Sequence, residues 1–394
     1  MKYNPLLPEV KANLYNHYAY LREHAPVYWV EALQCWAISR YDDVSYVLKN
    51  PSLFSSAAFF KKFLGEFDPV PEVPWLITTD PPAHLRLRKL ANKGFMPGIV
   101  RNLTQRVSEI TNQLIAQLST KREFDFVREF SAILPVTVIA EMLGVEPERG
   151  VDFKRWTDDL IRASNRAAVT AQDHLDMHQS MRELRAYFEE AIAQRRKHPT
   201  EDLISAFILA EEENQMLTAS EVLSLAIILL LGGNETTTNL LGNTIVTLLE
   251  VPKELSKVRQ DPSLIPQLIE EILRYRSPVQ TLYRQTTQEV EIAGATIPAG
   301  ATVMPLLASA NRDPRKFSDP DRFDLTRNTD GHLAFGHGVH FCLGAPLARL
   351  EAKVGLEAIF RHLPPFVRQE QQVTWLDSFF IHGPQRLPLA FAPA

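Results

Sequence analysis

Thr218-Ala-Ser-Glu221 places a hydroxyl at a helix N-cap and a carboxylate three residues on, a pairing in which each side chain satisfies a backbone N–H of the first turn. An apolar pattern then runs to about Glu250, where Val251-Pro252 stops it, because proline steers the residue before it out of helical backbone. The predicted helix is about 32 residues, or about 48 Å at 1.5 Å per residue, close to three times an ordinary helix. A rod of that length has to cross the whole molecule. Its greasiest stretch, Val222–Leu231, is about half of what a membrane span needs. In its middle lies Gly232-Gly-Asn-Glu-Thr-Thr-Thr238. A glycine costs about 1 kcal/mol in a helix interior, and threonines are poor helix formers. Such a locally unfavourable run in a buried helix marks either function or close packing against a neighbour.

Most of the remaining chain also reads as helix. Between Arg101 and Arg196 apolar residues recur at three- and four-residue spacing, as in Ile110, Leu114, Leu118 and in Phe153, Trp156, Leu160, the period of one helix face. Strand-like alternation is confined to Val27–Ser39, Glu289–Ile297 and Ala301–Leu306, with Pro298-Ala-Gly300 as a turn. No polar Gly/Ser stretch resembles a linker. The expected architecture is therefore mainly α with a small β portion, a single domain over residues 1–394. The first residues lack a charged head, apolar core and cleavage site, so the expected location is cytoplasmic, with no membrane anchor. With 42 basic and 47 acidic residues the net charge is −5, which speaks against general nucleic-acid binding.

Cysteine occurs twice, at Cys35 and Cys342, too rarely for a disulfide framework or a multi-cysteine metal site. Cys35 lies in strand-like sequence and reads as packing. Cys342 lies in Phe335-Gly-His-Gly-Val-His-Phe-Cys-Leu-Gly344-Ala-Pro-Leu-Ala-Arg349. Pro346 sits where proline favours the first turn of a helix, so Cys342 is on a glycine-rich loop entering a helix N-terminus. Free N–H groups and the positive end of the helix dipole stabilise a thiolate there. A single thiolate so held serves as a nucleophile or as an axial metal ligand; an inert buried cysteine is the alternative.

The segment resembles the haem-binding signature of the cytochrome P-450 family, Phe-Gly-x-Gly-x-His-x-Cys-x-Gly followed by Ala-Arg. The resemblance implies that Cys342 is the axial ligand of haem iron, with Phe335, His340 and Gly344 also against the cofactor. Other motifs extend it over most of the chain. Glu271-Ile-Leu-Arg274 resembles the family's Glu-x-x-Arg, whose residues face each other at i,i+3. Phe317-Ser-Asp-Pro-Asp-Arg-Phe323 resembles the loop adding a further arginine, here Arg322; these three are expected to brace the cysteine loop. Gly233-Asn-Glu235-Thr236 resembles the oxygen-binding motif, with Thr236 and Glu235 as the proton relay. Asp80-Pro-Pro-Ala-His84-Leu-Arg-Leu-Arg88 resembles the helix gripping the haem propionates through His84 and Arg88, and Arg284 matches a third propionate position. On roughly the opposite helix face Arg86, Lys89 and Lys93 cluster, either as a solvated face or as the dock for an acidic electron donor.

The resemblance thus implies a haem-thiolate monooxygenase. It would carry haem b, activate O₂ with two NAD(P)H-derived electrons, and hydroxylate or epoxidise a lipophilic small molecule, as in bacterial secondary metabolism. A ferredoxin or flavodoxin with its reductase would supply the electrons, and the chain would act as a monomer without nucleic-acid or membrane partners. By family position the substrate would meet the loop Phe59–Trp75, the helices Leu160–Met181, Val279 and Leu282, and the turn carrying Phe379, Phe380 and Ile381. Polyketides, terpenoids and fatty acids are all consistent with an apolar pocket. Two other functions stay open: the same fold running coupling, dehydration or peroxide-driven chemistry, and a haem-based sensor. The intact acid–threonine pair argues against peroxide dependence, and no residues remain for a sensor's output domain.

Overall fold

The computed structural model describes every residue except 1, 58–63, 96, 147–148, 163–169, 213–214 and 393–394, and leaves aside the side chains at 97–102, 161, 211–212 and 215. Phe59 of the expected substrate loop, and part of the expected substrate helices, lie outside the described residues. Helices dominate. Those that carry chemistry are α1 (Ala83–Asn92), α2 (Ala171–Lys197), α3 (Ala219–Glu250), α4 (Ile265–Tyr275) and α5 (Ala345–His362). The chain divides into two compact units: Met1–Ser55, Thr104–Leu134 and Thr236–Ala394 form the first, and Ser56–Leu103 with Pro135–Glu235 form the second.

In the first unit, β1 (Val27–Val30), β2 (Cys35–Ile38), β3 (Phe54–Ser55), β4 (Arg284–Thr286) and β5 (Thr302–Pro305) make one sheet in the order β1-β2-β5-β4-β3. The stretch expected as strand from Val27 to Ser39 is a hairpin: β1 and β2 pair antiparallel with Val30 opposite Cys35, and Gln34 turns the chain at φ 49. β5 joins β2 in parallel and β4 antiparallel. Phe54, Val303, Ile38 and Leu48 pack against the sheet as one apolar core. Cys35 is fully buried on β2.

The second unit carries α1, α2 and the first half of α3, to Glu235. Leu87, Leu90 and Ala91 bury the inner face of α1, while Leu85 points outward. α2 starts on a capping box of Thr170 and Asp173, the latter's carboxyl brought down to about 2 by bonds from Thr170 and then Arg162. Arg185 of α2 donates two bonds to Glu72, at 2.7 and 3.0 Å, and one to the Pro69 carbonyl. That fork fastens the segment after Phe67 to α2.

The long helix is as its sequence reads. Glu221 N–H donates to Thr218 Oγ1 and Thr218 N–H to Glu221 Oε2, closing the capping box at 3.2 and 2.8 Å. α3 spans 32 residues and continues through Gly232–Thr238. By length and composition it could cross a membrane, yet Val222, Leu223, Ile227, Leu230, Leu241, Ile245 and Val246 are all buried in the protein. The two glycines of its central run have different reasons to be small. A Cβ at Gly233 would press on Ile139 at 3.3 Å, whereas a Cβ at Gly232 would meet nothing within 4 Å. Close packing explains Gly233; open space lies beside Gly232.

Candidate haem-thiolate site

Cys342 is exposed, three residues before α5. Its backbone N–H donates to the Phe335 carbonyl at 2.9 Å, which folds Phe335–Cys342 into a closed loop. Gly338 turns this loop at φ 70, and a Cβ there would lie 2.8 Å from the Leu48 carbonyl oxygen. Only glycine fits both the backbone and the approach. Gly344 caps α5, and a Cβ on it would come 4.0 Å from the thiol sulfur. The thiol is thus presented to solvent at the amide end of an 18-residue helix. That setting favours thiolate, and the donor set suits an axial haem ligand. His340 is half-buried on the same loop, and Arg284 is buried on β4 of the same unit.

Two adjacent carboxylates of α4 face different ways, Glu270 toward the residues flanking this loop and Glu271 toward the segment before it. Glu270 takes a fork from Arg349 of α5, at 2.6 and 2.8 Å, and a bond from His332 at 2.9 Å. Burial works against its charge, but the bonds from Arg349 and then His332 outweigh burial and bring the carboxyl down to about 2. Arg349 in turn lies over the Phe335 ring, 4.6 Å from its centroid. Glu271 faces inward and holds Arg274 bidentately, at 2.7 and 2.8 Å, with both side chains wholly buried.

Arg322, expected as the third brace, is not there. Its side chain is 64% exposed and pairs with Asp319 and Asp324 on the surface. Arg327 takes the place: its Nε is 3.3 Å from Glu271, and it donates to the carbonyls of Ser318, Asp319 and Arg322. Phe323 turns inward and is buried, which leaves its neighbour Arg322 pointing out. The chain returns beneath α4 only at Asp324, whose N–H also donates to Glu271 at 3.0 Å.

On α3, Glu235 and Thr236 are half-buried neighbours, and the division between the two units falls between them. Within the first unit, Thr238 donates to the Ser131 carbonyl at 3.0 Å. Glu351 of α5 is a wholly buried carboxyl near Thr237 that desolvation pushes up to about 8. In the second unit, His84 is completely buried on α1 and Arg88 is half-buried, its Nε donating to Asn92 at 3.1 Å. Arg86, grouped with Lys89 and Lys93 as a docking face, is engaged differently. It is ion-paired to Glu221 of the α3 capping box, so its charge is answered inside its own unit. Lys89 is exposed and Lys93 half-buried.

A family model described as Cytochrome P450 matches residues 4–386. The chain is a cytochrome P450. Among its relatives, cytochrome P450 107B1 of Saccharopolyspora erythraea is 39% identical over 95% of this chain and 94% of its own. From the same organism, 6-deoxyerythronolide B hydroxylase is 37% identical over 95% of each chain. The solved structure of cytochrome P450 CYP109Q5 from Chondromyces apiculatus superposes with a TM-score of 0.92 at 44% identity, over 100% of this chain and 98% of that one. This cytochrome P450 is accordingly an oxidoreductase of a family that carries haem and uses O₂ with reductant electrons.

Two of the segments assigned to substrate by family position, Val279–Leu282 and the Phe379–Ile381 turn, meet in the first unit of this cytochrome P450; the loop ending at Trp75 and the helices around Leu160–Met181 belong to the second. Val279 bridges Ile381, Gln280 N–H donates to the Phe380 carbonyl at 2.9 Å, and His382 N–H to the Pro278 carbonyl at 2.8 Å. Ile381 is buried, Phe379 and Phe380 are half-buried, and Val279 and Leu282 also pack on the sheet core. Behind this turn the His382 ring stacks on Trp375 at 4.4 Å. Burial, then Arg276 and Arg312, push the imidazole down to about 3.

Sequence reasoning missed Arg327, Glu270 and Glu351. For Glu351 a signal existed: it falls four residues from both Leu347 and Gly355, on the buried stripe of α5.

Proposed function

We propose that this cytochrome P450 binds haem b through the Cys342 thiolate and inserts one oxygen atom of O₂ into a lipophilic small molecule, as a hydroxylase or epoxidase. The observation that carries the reading is the closed Phe335–Cys342 loop, which presents one thiol at the N-terminus of α5. When bound, the haem supplies oxygen activation; this chain's residues set its ligand, protons and substrate. Phe335 and Gly344 would lie against the haem on the cysteine loop, and by family position Arg284, His340, His84 and Arg88 would hold its propionates. Thr236 holds a proton at its hydroxyl, and Glu235 resupplies that proton from its carboxyl. The open space beside Gly232 leaves room on α3 for a small molecule or water. Glu271, Arg274 and Arg327 hold the cysteine loop in place from below.

The apolar turn Phe379–Ile381 with Val279 and Leu282 favours a lipophilic substrate. The relative named for hydroxylating 6-deoxyerythronolide B supports hydroxylation in bacterial secondary metabolism, with polyketides among the substrates to screen first. The electrons derive from NAD(P)H through a ferredoxin or flavodoxin and its reductase, docking at Lys89 and Lys93 rather than at the paired Arg86. Further parts of the reading are a cytoplasmic monomer and one domain over 1–394, the latter supported by a single family match running through both units.

The test is the absorption of the reduced, CO-treated holoprotein. A strongly red-shifted Soret band that Cys342→Ser abolishes and Cys35→Ser keeps is expected. A globin-like band in the unaltered protein would overturn the assignment.

A further inference from the structure

The second unit holds a cluster that neither haem ligation nor oxygen chemistry uses. Glu66 lies on the short turn Gly65–Phe67, and His174 and His178 lie one helical turn apart on α2. His174 Nε2 is 3.2 Å from one oxygen of Glu66, and His178 Nε2 is 3.7 Å from the other. One donor atom from each residue lies within 4.8 Å of the other two. Two ligands held at 2.0–2.1 Å by a tetrahedral zinc ion stand about 3.3 Å apart. The two histidine–carboxylate spacings, each to its own oxygen of Glu66, bracket that value, and small side-chain shifts would bring donor atoms already within 4.8 Å of one another onto one ion.

Both imidazoles are also oriented. The buried Phe67 ring contacts His174 at 4.9 Å and His178 at 4.6 Å between centroids, and the two imidazoles meet each other at 4.7 Å. One aromatic ring thus holds both rings with their Nε2 atoms toward the same carboxylate. The side chains are 41, 32 and 57% exposed, so an ion reaches them from solvent and a water can complete its shell. Two imidazoles and a carboxylate suit the late divalent metals over calcium or magnesium, which require more oxygen ligands. Among the described residues no other group of three histidine, cysteine or acidic side chains is gathered this way.

We propose that Glu66, His174 and His178 form a Zn²⁺ site that staples the Gly65–Phe67 turn to α2. It would reinforce the Arg185–Glu72 fork that fastens the next few residues to the same helix. Because the ligands come from two separate pieces of chain, the ion cross-links backbone that otherwise touches only through side chains.

The experiment is calorimetric titration of ZnCl₂ into the full-length haem-loaded protein after EDTA treatment and buffer exchange. Expected are one equivalent bound and affinity at least tenfold weaker in His174→Ala, His178→Ala and Glu66→Gln alike. An unchanged reduced-CO spectrum in each variant would show that folding and haem binding are intact. If the unaltered protein takes up no stoichiometric zinc, the site does not exist. If Glu66→Gln binds zinc as well as the unaltered protein, the metal rests on the histidine pair alone and the staple is refuted.

Discussion

Arg327→Ala and Arg322→Ala remove the same charge five residues apart and should differ sharply. Arg322 is 64% exposed and its partner Asp319 65% exposed, so its loss should cost at most about 1 kcal/mol. Arg327 is 7% exposed and Glu271 not at all. Its deletion removes a charge-assisted bond worth about 1.5–3 kcal/mol and three donations to backbone carbonyls worth about 0.5–1.5 kcal/mol each. Some of these carbonyls regain water when the side chain is gone, so a loss of about 3–5 kcal/mol is expected, in line with breaking a buried pair. Arg327→Lys keeps the charge but not the planar fork, and should fall between. Guanidinium unfolding midpoints, followed by tryptophan fluorescence and by the Soret band, measure all three. Equal midpoints for Arg322→Ala and Arg327→Ala would refute the reassigned brace.

Four further outcomes are expected. Glu351 has its carboxyl raised from 4.5 to about 8, so the folded state holds a proton the unfolded state releases, and stability falls as pH rises through that window, by up to about 1.4 kcal/mol per unit. Glu351→Gln should flatten that dependence; a slope that survives the substitution assigns it elsewhere. His382 is lowered from 6.5 to about 3, so the unfolded state binds the extra proton and stability falls as pH drops from about 6.5 towards 3. His382→Gln should remove this acid sensitivity, and an unaltered acid limb in urea melts would contradict the placement. Gly338→Ala forces a side chain against the Leu48 carbonyl at positive φ and should cost about 1–3 kcal/mol, with weakened haem retention on gel filtration; full retention would mean that the loop relaxes freely. Thr236→Ala should consume NAD(P)H while releasing peroxide in place of product, and undiminished product per electron would remove Thr236 from the proton relay.

Local patterns were the legible part. α3 could be read from its cap, its period and its proline stop, because each is a nearest-neighbour effect, and the cysteine loop because its glycines are spaced by backbone need. What escaped depends on where distant chain returns. Arg322 and Arg327 share one loop and differ only in which faces inward, a matter decided by the burial of Phe323. Arg86 read as part of a docking or solvated face because its partner Glu221 lies 135 residues on. Glu351 looked like any helix-surface acid until α3 was laid across it. The turn carrying Glu66 and the helix carrying His178 are over a hundred residues apart, and no spacing rule joins them.

Glu270 and Glu271 are chemically identical neighbours, roughly 100° apart on one helix, and each answers a different arginine. Substitution elsewhere on α4 leaves that division intact, but gain or loss of one residue before Glu270 would rotate both acids by the same angle. Glu271, carrying Arg274 round with it, would then turn from Arg327, and Glu270 from Arg349. Length is what this stretch of the gene has to preserve first: the exposed Pro266 and Gln267 should accept many replacements in a mutational library, and Pro266–Glu270 almost no single-codon insertions or deletions.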